Sequence, residues 1–181
     1  MMEPKTPIRK RALAARKAAK GLADEAAASA RLKEALSPYA GRRLAGYMPI
    51  RTEIDPRPVM ADWEGPVGVP VILGADLPLT FACWTPDAPM TEGAFGALIP
   101  KDPKPLVPEV LIVPLVAFTP EGHRLGYGGG FYDRTLAGLR ARGQIFAVGF
   151  AFEAQCLASI PLETTDQPLD AVVTETGIRR R

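Results

Sequence analysis

The sequence has few of the residues on which covalent and metal-dependent catalysis most often relies. Its 181 residues include two cysteines, Cys83 and Cys156, and a single histidine, His123. The cysteines fit no metal-ligand spacing, so we interpret them as reduced thiols in the core. A serine or cysteine triad could be built only around His123, whose glycine-rich, charged surroundings are typical of a solvated side chain. The sequence therefore argues against a triad hydrolase.

The chain also lacks long apolar runs and a strong charge bias. No run approaches the roughly 18 residues of a membrane span, and the first residues lack the apolar segment of a secretory signal. A net charge of +2 does not by itself imply a membrane or nucleic-acid partner. With 47% hydrophobic and 23% charged residues, the composition is typical of a soluble globular protein. We expect a cytoplasmic monomer with one domain over residues 1–181.

Apolar periodicity, bounded by glycine and proline, predicts alternating helices and strands. Thr6-Pro7 is a helix-start signal, and apolar residues then recur at helical spacing from Ile8 to Leu22. Residues 85–108 are predicted to form a long ordered loop, and residues 179–181 a solvated tail. Further helices are predicted over 24–36, 56–63 and 131–142, and strands over 43–48, 67–73, 79–84, 110–115, 144–150 and 171–174. This order predicts an α/β fold, a three-layer α/β/α sandwich with a mostly parallel sheet.

A glycine loop between a buried strand and a helix is the most informative segment. Residues without Cβ atoms let backbone N–H groups turn inward towards a ligand, and a helix start adds unpaired N–H groups and a positive dipole end. Arg124 contributes a cation and Asp133 a hard oxygen ligand. The loop predicts a site for a phosphate and a divalent metal, although a tight structural turn would also use glycine. Its residues are Gly126, Tyr127, Gly128, Gly129 and Gly130.

The N-terminal helix is strongly basic. Residues 1–22 contain seven lysines and arginines and one acid, Glu3. A solvated helix face or a targeting presequence would account for this composition. However, cations in the first helical turn oppose the helix dipole by roughly 0.3–1 kcal/mol each. Arg9 and Lys10 lie in that turn. Lys5 and Arg9, near the helix start with no acid to offset them, therefore also suit a polyphosphate ligand.

Three carboxylates have positions that suit a site. Asp133 and Asp170 are candidate Mg²⁺ ligands, because Mg²⁺ prefers a few carboxylates together with substrate phosphates and water. Asp170 would otherwise cap a turn before the last predicted strand. Glu53 follows a predicted strand, where ligands usually bind in an open α/β sheet, but it could equally be a surface charge.

The segment from Pro114 to Arg134 closely resembles the signature of the 5-formyltetrahydrofolate cyclo-ligase family, also called 5,10-methenyltetrahydrofolate synthetases. The resemblance covers nearly the whole chain. Its other parts are Lys5-x-x-x-Arg9, Tyr47-Met48-Pro49 with Glu53-Ile54, Phe95-Gly96 leading to Pro100, and Leu169-Asp170 with Val173-Thr174-Glu175. Some members have lysine within the glycine loop, where this chain has Gly129.

The resemblance implies an ATP- and Mg²⁺-dependent cyclisation of 5-formyltetrahydrofolate, with or without a polyglutamate tail, to 5,10-methenyltetrahydrofolate. ATP would phosphorylate the formyl oxygen, N10 would attack, and ADP and phosphate would leave. By carry-over, Asp133 and Asp170 would hold Mg²⁺, and Arg124, Tyr127 and Asp133 would act in catalysis. ATP would bind Lys5, Arg9, Arg124, Leu125, Gly126, Tyr127, Gly128, Gly129, Gly130, Phe131 and Tyr132. Folate would bind Met48, Glu53, Tyr127, Gly128, Gly129, Gly130 and Phe131, with Phe95 as a further ring contact.

Two other functions remain open at this stage. A non-catalytic folate or nucleotide binder could keep the same fold, although the presence of Arg124, Asp133 and Asp170 argues against it. An RNA-associated protein would explain the basic helix and the arginine tail. It would also need aromatic residues interleaved with the basic ones, which the sequence does not have.

Overall fold

The computed structural model describes residues 3–181 and contains four α-helices in that part of the chain. They are α1 (Lys5–Ala19), α2 (Glu25–Leu36), α3 (Arg57–Ala61) and α4 (Phe131–Arg142). The Asp24 carboxylate caps α2 by accepting a hydrogen bond from the Ala27 backbone N–H. Among residues 3–181, no helix is both long and apolar enough to cross a bilayer.

Eleven short strands are present in the same residues, and seven of them form one sheet. The order in that sheet is β11-β10-β9-β6-β1-β2-β3, parallel from β10 to β2 and antiparallel at both edges. The remaining strands form two hairpins, β4–β5 and β7–β8. The strands are β1 (Leu44–Ala45), β2 (Val67–Val71), β3 (Thr80–Cys83), β4 (Met90–Glu92), β5 (Leu98–Pro100), β6 (Val110–Val113), β7 (Ala117–Phe118), β8 (Arg124–Leu125), β9 (Phe146–Phe150), β10 (Ala171–Thr174) and β11 (Gly177–Arg180).

The sheet is covered on both faces, which confirms the predicted α/β/α layering. Successive side chains of β6 alternate between the two cores, with Ile112 on the side of α2 and α3 and Leu111 on the side of α4. All four residues of β6 are buried, as expected for a central parallel strand. Helix α1 packs elsewhere, with Ile8 and Ala12 against Val116 and the β7–β8 hairpin.

The strand order reverses between β1 and β6. From β1 the chain crosses through α3 to β2 on one side, and from β6 it crosses through α4 to β9 on the other. The loops that follow β1 and β6 therefore diverge to opposite faces and leave a crevice between them. This crevice positions the site described below.

Several sequence predictions about local structure are wrong. Helix α1 begins at Lys5 with Pro4 as its N-cap, so Thr6 lies inside the helix and caps nothing. The predicted strand over 43–48 contains only the two residues of β1. The chain then passes so close to α3 that a Cβ on Gly46 would clash with the sulfur of Met60. The pattern of residue types does not reveal this close packing.

The segments predicted as loop and tail also contain regular structure. Residues 85–108 include the β4–β5 hairpin, with a short 3₁₀ turn at Ala94–Gly96 as its tip. The C-terminal tail pairs with β10 as the edge strand β11, and Arg179 forms an ion pair with Glu153. These strands have only three or four residues each, too few to show a sequence period, so they depend on their pairing partners.

Two predictions about burial are also wrong. Cys83 is exposed on the edge strand β3, not in the core. Leu22 lies beyond α1 and is 86% exposed, whereas Arg16 is buried on the same helix face as Ile8 and Ala12.

Candidate active site

A large cavity lies where the strand order reverses. Its volume is about 1140 Å³, which exceeds the roughly 300–1,000 Å³ of a typical site for one small molecule. Residues that follow β1, including Glu53, form one wall, and the glycine loop with the first turn of α4 forms another. The cavity has room for two ligands side by side.

The glycine loop is held against α1. Arg9 Nε donates a hydrogen bond of 2.8 Å to the carbonyl of Gly126. Gly128 has a φ of +108°, and a Cβ at that position would lie 3.4 Å from the Arg9 guanidinium. Gly130, the residue before α4, also has a positive φ of +70°. The left-handed backbone at these positions favours glycine and turns the loop into the start of the helix.

Arg124 and Asp133 form an ion pair at the start of α4. Arg124 Nη2 lies 3.0 Å from Asp133 Oδ1, which also accepts a 3.0 Å hydrogen bond from the backbone N–H of Gln167. The Arg124 side chain is only 5% exposed, whereas that of Asp133 is 24% exposed and faces the cavity. Among residues 3–181, Asp133 Oδ2 has no hydrogen-bond partner, so this oxygen is available to a cation.

Three buried polar atoms in the cavity wall have no hydrogen-bond partner among residues 3–181. They are Arg124 Nε, Arg134 Nε and the Tyr132 hydroxyl. Burial raises the pKa of Tyr132, so its hydroxyl stays protonated and can donate. An unpaired buried donor costs about 1–3 kcal/mol. A ligand that accepts hydrogen bonds would remove this cost, and an anion would do so most effectively because two of the donors are cationic.

Lys5 also lines the cavity and is already paired. Its Nζ is 3.0 Å from Glu163 Oε1 and 3.3 Å from Asp166 Oδ2. Burial lowers the pKa of Lys5, but the hydrogen bonds and charges of these carboxylates outweigh that effect and raise it overall. Lys5 is therefore a cation whose present partners are exchangeable, since the Glu163 side chain is 66% exposed.

Glu53 is a buried carboxylate at the other end of the cavity. Its Oε2 accepts a 2.9 Å hydrogen bond from the backbone N–H of Ile50, and its Oε1 accepts one of 3.1 Å from the Tyr127 hydroxyl. Burial raises the pKa of Glu53, although the Ile50 N–H and the charge of Arg16 oppose the rise. Sequence reasoning could not separate this residue from a surface charge; the structure shows it to be only 5% exposed.

Aromatic and apolar side chains form the wall between the two polar ends. Met48 lines the cavity near Glu53, and the rings of Phe95 and Phe131 lie 6.4 Å apart at 59°. Phe95 is at the tip of the β4–β5 hairpin, 78% exposed and with a φ of +56°. A bulky residue in that backbone region is strained, and such strain is common where a loop meets a ligand.

The structure brings all but one of the sequence-predicted site residues to this cavity. The exception, Asp170, is not in the cavity wall. Its Oδ2 accepts a 2.8 Å hydrogen bond from the Ala147 backbone N–H and lies 3.5 Å from Arg140 Nη2. Residues 3–181 contain no cluster of three or more histidine, cysteine, aspartate or glutamate residues suited to a metal. The role of Asp170 as a Mg²⁺ ligand stays a prediction.

Sequence reasoning missed several residues of the site. Arg16 is the main omission, and its spacing of four from Ala12 and eight from Ile8 could have placed it on the buried face of α1. Arg134 lies one turn into α4, and its place beside Asp133 was a further signal. Glu163 and Asp166 had no signal, because nothing local connects them to Lys5.

The sequence model of the 5-formyltetrahydrofolate cyclo-ligase family matches residues 1–175. The chain belongs to this family. A Haemophilus influenzae protein named 5-formyltetrahydrofolate cyclo-ligase is 42% identical over 96 residues, and the match spans about half the length of each, 50% of this chain and 51% of the relative. A Mycolicibacterium smegmatis protein of the same name is 32% identical over 150 residues, 74% of each chain.

Solved structures of cyclo-ligase relatives have the same fold. The NMR structure of Aquifex aeolicus 5,10-methenyltetrahydrofolate synthetase matches with a TM-score of 0.78 and 29% identity, over 97% of this chain and 92% of that one. A 5,10-methenyltetrahydrofolate synthetase from Mycoplasma pneumoniae matches with a TM-score of 0.73 and 22% identity, over 96% and 99% of the two chains. The second match bears on the fold alone.

Proposed function

We propose that this protein catalyses the ATP- and Mg²⁺-dependent cyclisation of 5-formyltetrahydrofolate to 5,10-methenyltetrahydrofolate, with release of ADP and phosphate. The observation that carries the proposal is one cavity lined by two different polar groups. The first, the glycine end, is the glycine loop with the unpaired cationic donors of Arg124 and Arg134; the second, the Glu53 end, is the buried carboxylate of Glu53, which Tyr127 joins to the loop by a hydrogen bond. We also propose that the protein acts as a cytoplasmic monomer.

The glycine end suits the phosphates of ATP. Arg124 and Arg134 supply unpaired donors, and the first turn of α4 supplies N–H groups and the positive end of a dipole. Lys5 and Arg9 reach the same loop from α1. Gly129 leaves the loop without a cation of its own, so these four side chains carry the positive charge of this end.

The Glu53 end suits the pterin of the folate. Its buried carboxylate could accept charge-assisted hydrogen bonds from the amide-like edge of that ring, which are stronger than neutral ones. Phe95 and Phe131 would pack against its ring system. A polyglutamate tail would extend from the open side of the cavity.

The reaction needs alignment more than a protein nucleophile. The formyl oxygen takes the terminal phosphoryl group of ATP, N10 then attacks the activated carbon, and phosphate leaves. Such phosphoryl transfer is accelerated by positioning and by stabilising developing charge. Arg124 would stabilise charge on the transferred group, and Tyr127, which contacts Glu53, would help to orient the folate.

Asp133 is the residue best placed to hold Mg²⁺. Its free oxygen faces the cavity beside the glycine loop, and Mg²⁺ commonly binds one or two carboxylates plus substrate phosphates. Bound Mg²⁺ would neutralise charge on the phosphates. The other carboxylate oxygen of Asp133 is held by Arg124 and the Gln167 N–H, which fix the side-chain rotamer.

A comparison of Asp133→Asn with Asp170→Asn tests the metal assignment. We expect Asp133→Asn to raise the Mg²⁺ concentration for half-maximal activity at least about tenfold. Asp170→Asn should instead lower the free energy of unfolding by about 1 kcal/mol, because its carboxylate bonds to Ala147 and Arg140. Both quantities come from Mg²⁺ titrations and chemical denaturation. A Mg²⁺ shift in Asp170→Asn as large as in Asp133→Asn would place Asp170 at the metal.

The proposed activity is tested directly with purified protein, MgATP and 5-formyltetrahydrofolate. Formation of the methenyl product is followed by its near-ultraviolet absorbance, and ADP release is measured in parallel. The altered Mg²⁺ dependence of Asp133→Asn identifies the activity as that of this chain and not of a contaminant. Tight folate binding without product formation or ADP release would favour a non-catalytic binder.

Lys5→Ala tests the contribution of α1 to ATP binding. We expect KM for ATP to rise about tenfold, because a charge-assisted contact to phosphate is lost. The unfolding temperature should fall only slightly, because Glu163 is exposed and Asp166 keeps its 2.9 Å hydrogen bond from the Glu163 backbone N–H. Lys10→Ala, an exposed neighbour on the same helix, is the matched control. Unchanged KM for ATP in Lys5→Ala would remove Lys5 from the ATP site.

A further inference from the structure

Arg16 is the most deeply buried cation in the described residues. The proposed reaction assigns it no direct contact with a substrate. It is 1% exposed, although it lies in the last turn of a helix whose other basic residues are partly or fully exposed. Burying a guanidinium is costly unless its donors are satisfied. Its location therefore needs a reason beyond the general basic character of α1.

All three nitrogens of the Arg16 guanidinium are engaged. Nε donates to Thr52 Oγ1 at 3.1 Å, Nη1 to the Leu115 carbonyl at 3.4 Å, and Nη2 to the Tyr127 hydroxyl at 2.8 Å. Thr52 belongs to the segment that carries Glu53, and Tyr127 belongs to the glycine loop. Arg16 thus connects the two walls of the cavity from behind.

We propose that Arg16 is a positioning residue for the folate, acting through Tyr127 to hold the Glu53 carboxylate in its binding orientation. The inference rests on the proposed function, because it assigns Glu53 to the folate end of the cavity. It adds a residue that contacts no ligand itself and that the family motifs in this sequence do not include.

The direction of the hydrogen bonds carries the argument. A guanidinium can only donate, so the Tyr127 oxygen must accept from Arg16. The single hydroxyl hydrogen of Tyr127 is then free to point at Glu53 Oε1, 3.1 Å away. With the Ile50 N–H on Oε2, this leaves one directed donor on each oxygen and the remaining lone pairs open to the cavity. Without Arg16 the hydroxyl could rotate away, and Glu53 would lose a fixed partner.

The charge of Arg16 and its packing on the Tyr127 ring also support this positioning role. The charge of Arg16 favours the ionised form of Glu53 in a buried setting, and the guanidinium carbon lies 5.6 Å from the centre of the Tyr127 ring. Arg51 lies 5.3 Å from the same ring centre and also faces the cavity. The Tyr127 ring is therefore held by two cations, of which only Arg16 also fixes its hydroxyl.

The test compares Arg16→Met and Arg16→Lys with Lys17→Met, an exposed neighbour on the same helix. Equilibrium binding of 5-formyltetrahydrofolate is measured by calorimetry without ATP, and KM for both substrates and kcat are measured in the full reaction. We expect Arg16→Met to weaken folate binding about tenfold while KM for ATP stays within about twofold of wild type. Arg16→Lys should recover part of the loss, and Lys17→Met should match wild type.

A double-mutant cycle with Tyr127→Phe separates positioning from a merely structural role. If Arg16 acts through the Tyr127 hydroxyl, the double variant should bind folate no more weakly than Tyr127→Phe alone. Additive losses, or a loss shared equally between folate and ATP, would overturn the proposal. If Arg16→Met does not fold, Tyr127→Phe and Arg16→Lys test the proposal instead. Both variants must then weaken folate binding more than ATP binding. Wild-type protein that fails to bind the folate at all would instead contradict the proposed function.

Discussion

Replacing Glu53 with glutamine is expected to raise KM for 5-formyltetrahydrofolate roughly 10- to 100-fold, the effect of losing one or two hydrogen bonds to a charged group. Glutamine has nearly the same shape and can still accept from the Tyr127 hydroxyl or the Ile50 N–H, so the cavity should keep its form. KM for ATP should stay within about twofold, because among residues 3–181 the Glu53 carboxylate bonds to Ile50 and Tyr127 and to none of the cations assigned to the phosphates. Steady-state kinetics with each substrate varied in turn provide the measurement. An equal rise in both KM values would show that Glu53 shapes the whole cavity.

The same variant makes a separate prediction about stability and pH. Burial raises the pKa of Glu53 in the folded protein above its unfolded value of about 4.3. The folded state therefore binds the proton more tightly, and this stabilisation is complete below about pH 4 and is lost as pH rises through the folded pKa. Glutamine does not titrate, so the free energy of unfolding of Glu53→Gln should rise relative to wild type between about pH 4 and neutrality. Denaturation curves across this range supply the test, and a relative fall in the same range would contradict it.

Gly128→Ala is expected to lower kcat/KM for ATP about 100-fold or more. A φ of +108° costs an alanine about 1–2 kcal/mol, and the new Cβ would lie 3.4 Å from the Arg9 guanidinium. The new Cβ makes only an ordinary contact, so the cost comes from the backbone conformation. Relaxing that conformation would shift the nearby Gly126 carbonyl, which accepts the 2.8 Å hydrogen bond from Arg9. Misplacement of about 1 Å at a phosphoryl-transfer site can reduce the rate about 100-fold. Kinetics and ATP binding are measured on the same preparation.

Gly138→Ala is the matched control for that substitution. Gly138 is exposed in the middle of α4, and a Cβ there would meet nothing within 4 Å. Alanine at this position should raise the free energy of unfolding by about 0.5–1 kcal/mol and leave kcat/KM unchanged. A Gly128→Ala protein with wild-type kinetics would mean that the loop does not cradle the phosphates of ATP.

Much of the site could be predicted because its signals are local. The strand, glycine loop and helix that carry Arg124 and Asp133 follow one another within about thirty residues, so one segment reveals both a phosphate-binding geometry and the family. The apolar runs of β6 and β9 likewise indicate a buried parallel sheet without any knowledge of their partners. The prediction of a loop over residues 85–108 was wrong because its signal is not local: β4 and β5 are strands only through their pairing with each other.

The amino-acid sequence alone determined the α/β class, the family and the glycine-loop wall of the cavity, because periodicity and motif spacing are properties of neighbouring residues. Only the tertiary structure decided which charges meet. Arg16 and Tyr127 are 111 positions apart, and Lys5 and Asp166 are 161 apart. The burial of Glu53 and the position of Asp170 outside the cavity wall likewise result from contacts between distant parts of the chain. A side chain's electrostatic environment depends on what folding places around it, and that information is spread over the whole chain.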